Sequence, residues 1–265
     1  MLGWENAGRA GQDRLLWVLN EIRRSGSIEV NELMDRTGAS GATIRRALSK
    51  LEKNGLVLRR RGRAEAAAPV LYSFIRDSSF QKQVGHMAEE KRRIGLVAAS
   101  LIKSGDVVAF GPGTTTTAAA CSILPNVSLR VVTNALNIAF ELRQRKSIRL
   151  FLTGGDLRES WFSLVGQTAV ESAKAVVADI AFVGVTGIDP EHGLTDDHPE
   201  ESAVTRVMLA QAKRRIVVAD HTKFGKVSYS RVWPLDKIDI IITDRGVSKR
   251  ISAPYEAKGV KILRG

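Results

Sequence analysis

The chain has 265 residues, 44% hydrophobic and 26% charged, with no run of about 18 apolar residues. This composition excludes wholesale disorder and a membrane-crossing helix. A single cysteine, Cys121, excludes an internal disulfide or a cysteine-rich zinc site and fits a reducing cytoplasm. An excess of 40 lysines and arginines over 28 acids, +12 in all, points to a polyanion or an anionic ligand.

Met1 to Ala10 has no apolar stretch of the kind a secretory signal needs, so a cytoplasmic location is expected. Gln12–Ser25 reads as a helix, with Leu15, Val18, Leu19 and Ile22 at helical spacing and Gly26 as its stop. A short helix over Val30–Thr37 follows, burying Val30, Leu33 and Met34. After Gly38-Ala39-Ser40 a third helix runs from Gly41 to Asn54, capped by Ser40, buried along Ile44, Leu48 and Leu51, and stopped by Gly55. Two helices joined by a short glycine-containing turn form a helix-turn-helix pattern. Between Gly41 and Arg63 eight bases face one acid, Glu52, a density above that of an ordinary solvated face. A recognition helix presents its exposed residues to the major groove. Ser40, Thr43, Arg45, Arg46, Ser49 and Lys50 are therefore the expected DNA contacts, with Arg59, Arg60, Arg61 and Arg63 on an adjoining basic hairpin. Leu56–Arg60 reads as the outgoing strand of that hairpin, Ala64–Pro69 as its loose tip, and Val70-Leu71-Tyr72 as the returning strand.

From Ala88 the rhythm changes. A helix over Ala88–Lys103 leads into apolar strands at Val107–Phe110, Leu129–Val132, Ile148–Leu152, Ile180–Val183, Ile216–Ala219 and Ile240–Ile242. Helical stretches separate them, near Thr115–Leu124, Ala135–Arg143, Thr168–Val177 and Glu200–Ala212. This alternation predicts an α/β domain with a mostly parallel sheet covered on both faces. The expected division is residues 1–74 for a winged helix-turn-helix, 75–87 for a linker, and 88–265 for the α/β domain.

In open parallel sheets ligands bind beyond the carboxyl ends of the strands. Five strand ends carry Gly111-Pro112-Gly113-Thr114-Thr115-Thr116, Thr133-Asn134, Thr153-Gly154-Gly155, Gly184-Val185-Thr186-Gly187 and Asp220-His221-Thr222-Lys223. A Gly-Thr loop opening a helix offers N–H groups and hydroxyls to an anion. Lys223 supplies a positive charge, and Asn134 and Asp220 can hydrogen-bond sugar hydroxyls. Together they suggest a small phosphorylated polyol. The loop lacks the Gly-Lys-Ser/Thr of a Walker motif and the third glycine of a dinucleotide fingerprint. His192, Asp196, Asp197 and His198 read as a polar loop ahead of a helix rather than a metal site, with Pro199 at the helix start. Cys121 reads as a buried spectator, and His86 and His221 have no evident catalytic partner. No metal and no cofactor is expected.

The sequence resembles the DeoR family of bacterial transcriptional regulators from about Gln12 to Asp244. The likeness rests on Thr43-Ile44-Arg45-Arg46, Leu51-Glu52-x-x-Gly55-x-Val57, the basic stretch Arg60–Ala64, Glu90-Lys91, Gly105-Asp106 and Gly113-Thr114-Thr115. It continues through Val132-Thr133-Asn134, Gly154-Gly155, Leu164-Val165-Gly166, Gly187-Ile188, Gly193-Leu194-Thr195, Asp220-x-x-Lys223-Phe224-Gly225 and Ile242-Thr243-Asp244. The resemblance implies a winged helix followed by a sugar-phosphate-sensing domain related in fold to ribose-phosphate isomerases and coenzyme A transferases. It implies a repressor of a sugar-catabolic operon, bound to double-stranded operator DNA as a homodimer or higher homo-oligomer, and not an enzyme. Effector contacts implied by it are Lys91, Gly113, Thr114, Thr115, Asn134, Gly154, Gly155, Asp220 and Lys223; Gly111 joins them from the loop pattern. Ala47 stands where the family often has Asp, Pro112 where it has a small residue, and Arg61-Gly62-Arg63-Ala64 where its wing often reads His-Gly-Gly-Ala. The alternative is a sugar-phosphate isomerase or acyl transferase with a basic regulatory domain. The Lys-Gly-Gly-Gly stretch of the related isomerases is absent, and Glu159 and Glu191, the nearest nucleophile candidates, read as surface loops.

Overall fold

The structure, a computed structural model, describes residues 15, 17–19, 21–22, 25–53, 56–60, 62–66 and 79–265, except the side chains of 66, 79, 81 and 82. The chain divides into two compact units, Met1–Val70 and Leu71–Gly265.

In the first unit the described residues from 15 to 22 are helical and bury Leu15, Val18, Leu19 and Ile22. Helix α1 is Val30–Thr37 and helix α2 is Gly41–Lys53. Gly38, left-handed at φ 65°, ends α1 and donates its N–H to Met34 O. Leu33 is fully buried, whereas Val30 and Met34 are half-buried at the core's margin rather than inside it. Ile44, Leu48 and Leu51 of α2 face the same core. Each such aliphatic side chain contributes about 1.5–3 kcal/mol on leaving water.

Strands β1 (Ser27–Glu29), β2 (Val57–Arg60) and β3 (Arg63–Ala66) form an antiparallel sheet in the order β1-β3-β2. Arg63–Ala66, immediately after the turn, is the strand that pairs with β2, and the expected returning strand Val70–Tyr72 lies outside the described residues. Residues 64–66 likewise belong to a strand and not to a loose tip. Arg60 pairs with Arg63 across the turn at Gly62, and Ala64 drops into the core on the alternate face. Gly55 and Arg61 lie outside the described residues.

In the second unit helix α3 (Ser79–Gly85) occupies most of the segment expected to be a linker. Its Phe80 is fully buried and meets Trp161 and Phe162 edge-on, at 6.0 and 5.4 Å between ring centroids. An apolar anchor of this kind turns a connector into a docked element. Helix α4 is Ala88–Ser100.

Seven strands build one parallel sheet: β4 (Val107–Phe110), β5 (Leu129–Thr133), β6 (Ile148–Leu152), β9 (Ala178–Val183), β12 (Ala212–Val218), β14 (Ile240–Thr243) and β15 (Lys261–Arg264). Their order is β15-β14-β12-β9-β4-β5-β6, and all six pairings are parallel. All six strands expected from sequence lie in it. Helices α5 (Thr114–Cys121), α6 (Leu136–Leu142), α7 (Gly166–Lys174), α8 (Pro199–Ala210) and α9 (Lys249–Glu256) follow strands in turn. Two apolar clusters fill the domain, one around Val108, Phe110, Phe182 and Ile242, the other around Ala181, Val183, Val217 and Ile241. Alternating residues of the same strands enter each, as a sheet covered on both faces requires. Two small antiparallel additions complete the unit: a hairpin of β7 (Asp156–Arg158) and β8 (Ser163–Val165), and a sheet of β10 (Gly187–Asp189), β11 (Gly193–Asp196) and β13 (Ser230–Trp233).

The strand order places the site. The chain winds outward from β4 through β5 to β6, then returns to lay β9 on the other side of β4. The carboxyl ends of β4 and β9 thus diverge at a topological switch point, where open α/β sheets bind ligands.

Candidate effector cleft and nucleic-acid interface

A cleft of about 130 Å³ opens at that switch point. Its walls come from the loops after β4, β9 and β12, from α4, and from the β7–β8 and β11–α8 connections. Phe110 and Phe182, stacked 5.3 Å apart in the core, join the ends of β4 and β9, and Gly111 N–H donates to Phe182 O at 2.9 Å. The chain then turns through Gly113, whose φ of 133° is open to glycine and strained for other residues, into α5. No side chain caps α5. Thr116 and Thr117 instead turn their hydroxyls onto Gly113 O, at 2.8 and 2.6 Å. The first-turn N–H groups are thereby left to a ligand, an anion-seeking arrangement.

Two lysines stand beside this turn. Lys91 of α4 is buried and donates to Gln83 O at 2.5 Å and His86 O at 2.7 Å. Burial, with help from the like charge of Lys223, pulls its ammonium down to about 8, against the opposing pull of Asp220. Lys223 follows Asp220 in a short 3-10 turn after β12. Asp220 is buried and accepts from Thr222 N at 3.0 Å and from the Thr222 hydroxyl, which fixes the turn.

The opposite wall is acidic. Asp196, Asp197 and Glu201 line it with Arg158. Glu201 is buried, 2.9 Å from the Arg158 guanidinium, and accepts a hydrogen bond from Ser163. Asp196 accepts from Thr186 Oγ1 at 3.1 Å and from Asp197 N at 2.7 Å. Burial, and then the charge of Glu201, push its carboxyl up to about 6. A value raised above the ordinary 3.8 means the folded state binds the proton more tightly. The contribution of Asp196 to stability is complete below the ordinary value and is lost as pH rises through about 6. Asp196→Asn is therefore expected to gain up to about 3 kcal/mol on the wild type at neutral pH. The gain should shrink as pH falls and vanish below about pH 4. Urea denaturation at both pH values measures this, and an equal effect at both would remove the buried-carboxylate explanation.

Six of the ten expected effector residues line the cleft: Lys91, Gly113, Thr114, Thr115, Asp220 and Lys223. Gly111, Asn134, Gly154 and Gly155 are not among its lining residues. Asn134 is fully buried and ties β5 to β8, donating from Nδ2 to Leu164 O and accepting Leu164 N–H on its backbone oxygen. Gly111 is a strand-end hydrogen-bond donor, and Gly154-Gly155 form the turn from β6 to β7. Sequence reasoning missed Arg158, Asp196, Asp197 and Glu201. The only signal was acidic residues clustered around Pro199, which also serve the start of α8. His221 has a partner after all: its backbone N–H donates to Asp244 Oδ2 at 2.7 Å and Nδ1 lies 2.9 Å from Oδ1. Asp244 comes from the end of β14, distant in sequence but next to β12 in the sheet. Cys121 is half-buried at the end of α5 rather than buried. Among the described residues no group of three or more His, Cys, Asp or Glu side chains is placed to hold a metal ion.

On the first unit, α2 turns its polar side outward. Arg45, Arg46 and Lys50 are exposed, with Thr43 and Ser49 half-buried between them. Arg45, Arg46, Ser49, Lys50 and Lys53 border one shallow concavity. Ser40 is a loose cap: its hydroxyl lies 3.4 Å from Thr43 N and 3.0 Å from Thr43 Oγ1. Arg59 of β2 reaches back to Ser49 Oγ at 3.2 Å and stands 3.7 Å from Glu52. Arg63 of β3 is held by Ser27 Oγ and Glu29, both at 3.1 Å. Arg60 is exposed on the same hairpin.

Residues 14–70 match the family described as "DeoR-like helix-turn-helix domain", and residues 86–245 match the one described as "DeoR C terminal sensor domain". The chain belongs to the DeoR family. DeoR-family relatives match it nearly end to end. The HTH-type transcriptional repressor GlcR of Bacillus subtilis is 34% identical over 95% of each chain. The putative aga operon transcriptional repressor of Escherichia coli O157:H7 is 31% identical over 93% of this chain and 91% of that one. The glycerol-3-phosphate regulon repressor of Escherichia coli K12 is 28% identical over 86% and 88%. Among solved structures, ribose 5-phosphate isomerase A of Methanocaldococcus jannaschii is similar with a TM-score of 0.39. It is 17% identical, over 52% of this chain and 54% of that one. Among the described residues no helix is long and apolar enough to cross a membrane.

Proposed function

We propose that this DeoR-family protein is a cytoplasmic repressor of a sugar-catabolic operon, controlled by a phosphorylated sugar bound in the switch-point cleft. One observation carries the reading: the uncapped Gly113–Thr115 turn, Lys91 and Lys223 meet at one cleft, opposite a wall of hydrogen-bond acceptors. The turn and the lysines suit a phosphate. Asp196, Asp197 and Glu201 suit the hydroxyls of a sugar. The names of the relatives, a glycerol-3-phosphate regulon repressor among them, support the same class of operon.

Double-stranded operator DNA is read by α2, with Arg45, Arg46 and Lys50 outermost and Thr43, Ser49 and Ser40 beside them. Arg59, Arg60, Arg61 and Arg63 carry the wing to the phosphate backbone. One recognition helix reads one half-site, so the working form is a homodimer or higher homo-oligomer. The cleft acts as a binding site rather than a catalytic one. Its buried Glu201 is engaged by Arg158 and Ser163, and His221 with its carboxylate partner is not among its lining residues.

The test is fluorescence anisotropy on the DNA upstream of the protein's own gene, titrated with a panel of sugar phosphates. A response to one phosphosugar and not to its unphosphorylated form is expected. Turnover of a sugar phosphate would return the enzyme reading. Lys223→Ala removes one charge-assisted contact of about 1.5–3 kcal/mol, so effector affinity should fall roughly 10- to 100-fold. Operator affinity without effector should stay unchanged. Full response in that variant would take Lys223 out of the anion site.

A further inference from the structure

Lys91 belongs to two structures at once. It lines the cleft, and its ammonium also closes the end of α3, donating to Gln83 O and His86 O. An ammonium has three donors, so two are already committed and one is left for a ligand. α3 is the first described helix of the second unit, so the chain leaving the winged helix must pass through it. A second attachment holds α3. Phe80 inserts edge-on against Trp161 and Phe162, and Trp161 is itself a cleft residue, as is Gln83.

The backbone marks the same place. Among the described residues only two that are not glycine have positive φ, Met87 at 53° and Phe162 at 56°. Met87 is the joint between α3 and α4, one residue past the His86 carbonyl that Lys91 holds. Phe162 is the ring on which Phe80 sits. Left-handed backbone at such residues is strained and persists only where the surroundings enforce it, as at switch segments. One strained residue thus joins α3 to α4, and the other carries the ring against which α3 is packed.

We propose that Lys91 is a latch: an anion in the cleft draws its ammonium off the Gln83 and His86 carbonyls, α3 loosens at the Met87 joint and from its Phe80–Phe162 contact, and the effector signal leaves the sensor domain through α3. This rests on the cleft being the effector site. The anion's differential interaction with the latched and unlatched states does the work, because a ligand indifferent to the two shifts nothing.

Hydrogen exchange on the full-length chain, with and without inorganic phosphate as the probe, tests it. Phosphate should slow exchange at Gly113–Thr117 and speed exchange over residues 79–90 several-fold. Protection at Gly113–Thr117 with no change over 79–90 would overturn the latch and leave the cleft reading standing. No protection at Gly113–Thr117 would overturn both. Lys91→Met supplies a second readout. A sensor that has merely lost its ligand should bind operator at the ligand-free level. A sprung latch should hold it at the level the wild type shows with effector, with fast exchange over 79–90 from the start. Operator affinity of Lys91→Met at the ligand-free level would therefore also refute the latch. Lys91→Arg, which keeps a cation able to reach both carbonyls, should restore slow exchange over 79–90.

Discussion

Replacing Arg45 and Arg46 together with alanine is expected to lower operator affinity by at least about thirtyfold, because each base-reading arginine discriminates by about 1–3 kcal/mol. Both side chains are exposed on α2, off the buried stripe of Ile44, Leu48 and Leu51, so the fold should be unaffected. Their position differs from that of Arg59 and Arg63. Arg59 leans on Ser49 and Glu52, and Arg63 on Ser27 and Glu29. Those two spend part of their donor capacity holding the wing sheet to its neighbours and should cost less when removed. Anisotropy on operator and random DNA, at two salt concentrations, separates the roles. Loss of base contacts collapses the preference for operator, whereas loss of phosphate contacts flattens the salt slope by about 0.9 per contact. Unchanged binding to both DNAs would take α2 out of the role of recognition helix.

The second large effect is steric. Gly155→Ala is expected to destabilise the sensor domain by about 2–5 kcal/mol, combining the cost of left-handed backbone with overpacking. Its φ is 111°, and a Cβ there would lie 2.3 Å from Val165 O and 3.0 Å from Ala169 Cβ. The neighbouring Gly154, at φ 70°, would place its Cβ no closer than 3.9 Å to anything, so Gly154→Ala should cost only about 1–2 kcal/mol. Urea denaturation of the two variants reads the difference directly. A stable Gly155→Ala protein with lost effector response would instead make this turn a ligand contact.

Gly154-Gly155 also shows where sequence reasoning stops. The motif was visible, but its reason was not: β7 and β8 fold the turn against Val165, a contact no local pattern announces. Six of the parallel strands were legible because each carries a largely apolar run followed by a polar turn. β15 was missed because Lys261 and Arg264 flank only two apolar residues, and its place depends on pairing with β14. β3 was missed for the opposite reason. Arg-Ala-Glu-Ala has no β-branched or aromatic residue, and only the tight turn before it and the burial of Ala64 make it a strand. α3 was hidden because a single buried aromatic, Phe80, docks it. In the cleft, glycines, threonines and lysines at strand ends could be read from spacing. The acidic wall could not, because Arg158 and Glu201 meet only once the β7–β8 hairpin folds over α8.

The strand order also sets a sequence of events on the ribosome. The described elements of the DNA-reading unit end at Ala66 and are joined by short turns. The cleft needs β9 beside β4, and β9 ends at Val183, 117 residues later. At about 5–20 residues per second, a nascent chain carries a complete winged helix for roughly 6–23 s before both walls of its switch point have been made. On the function proposed above, the emerging protein can meet DNA during that interval but has no site for its effector. Each newly made copy therefore starts its life deaf to the effector, and a message cut short before β9 would encode a fragment that stays so.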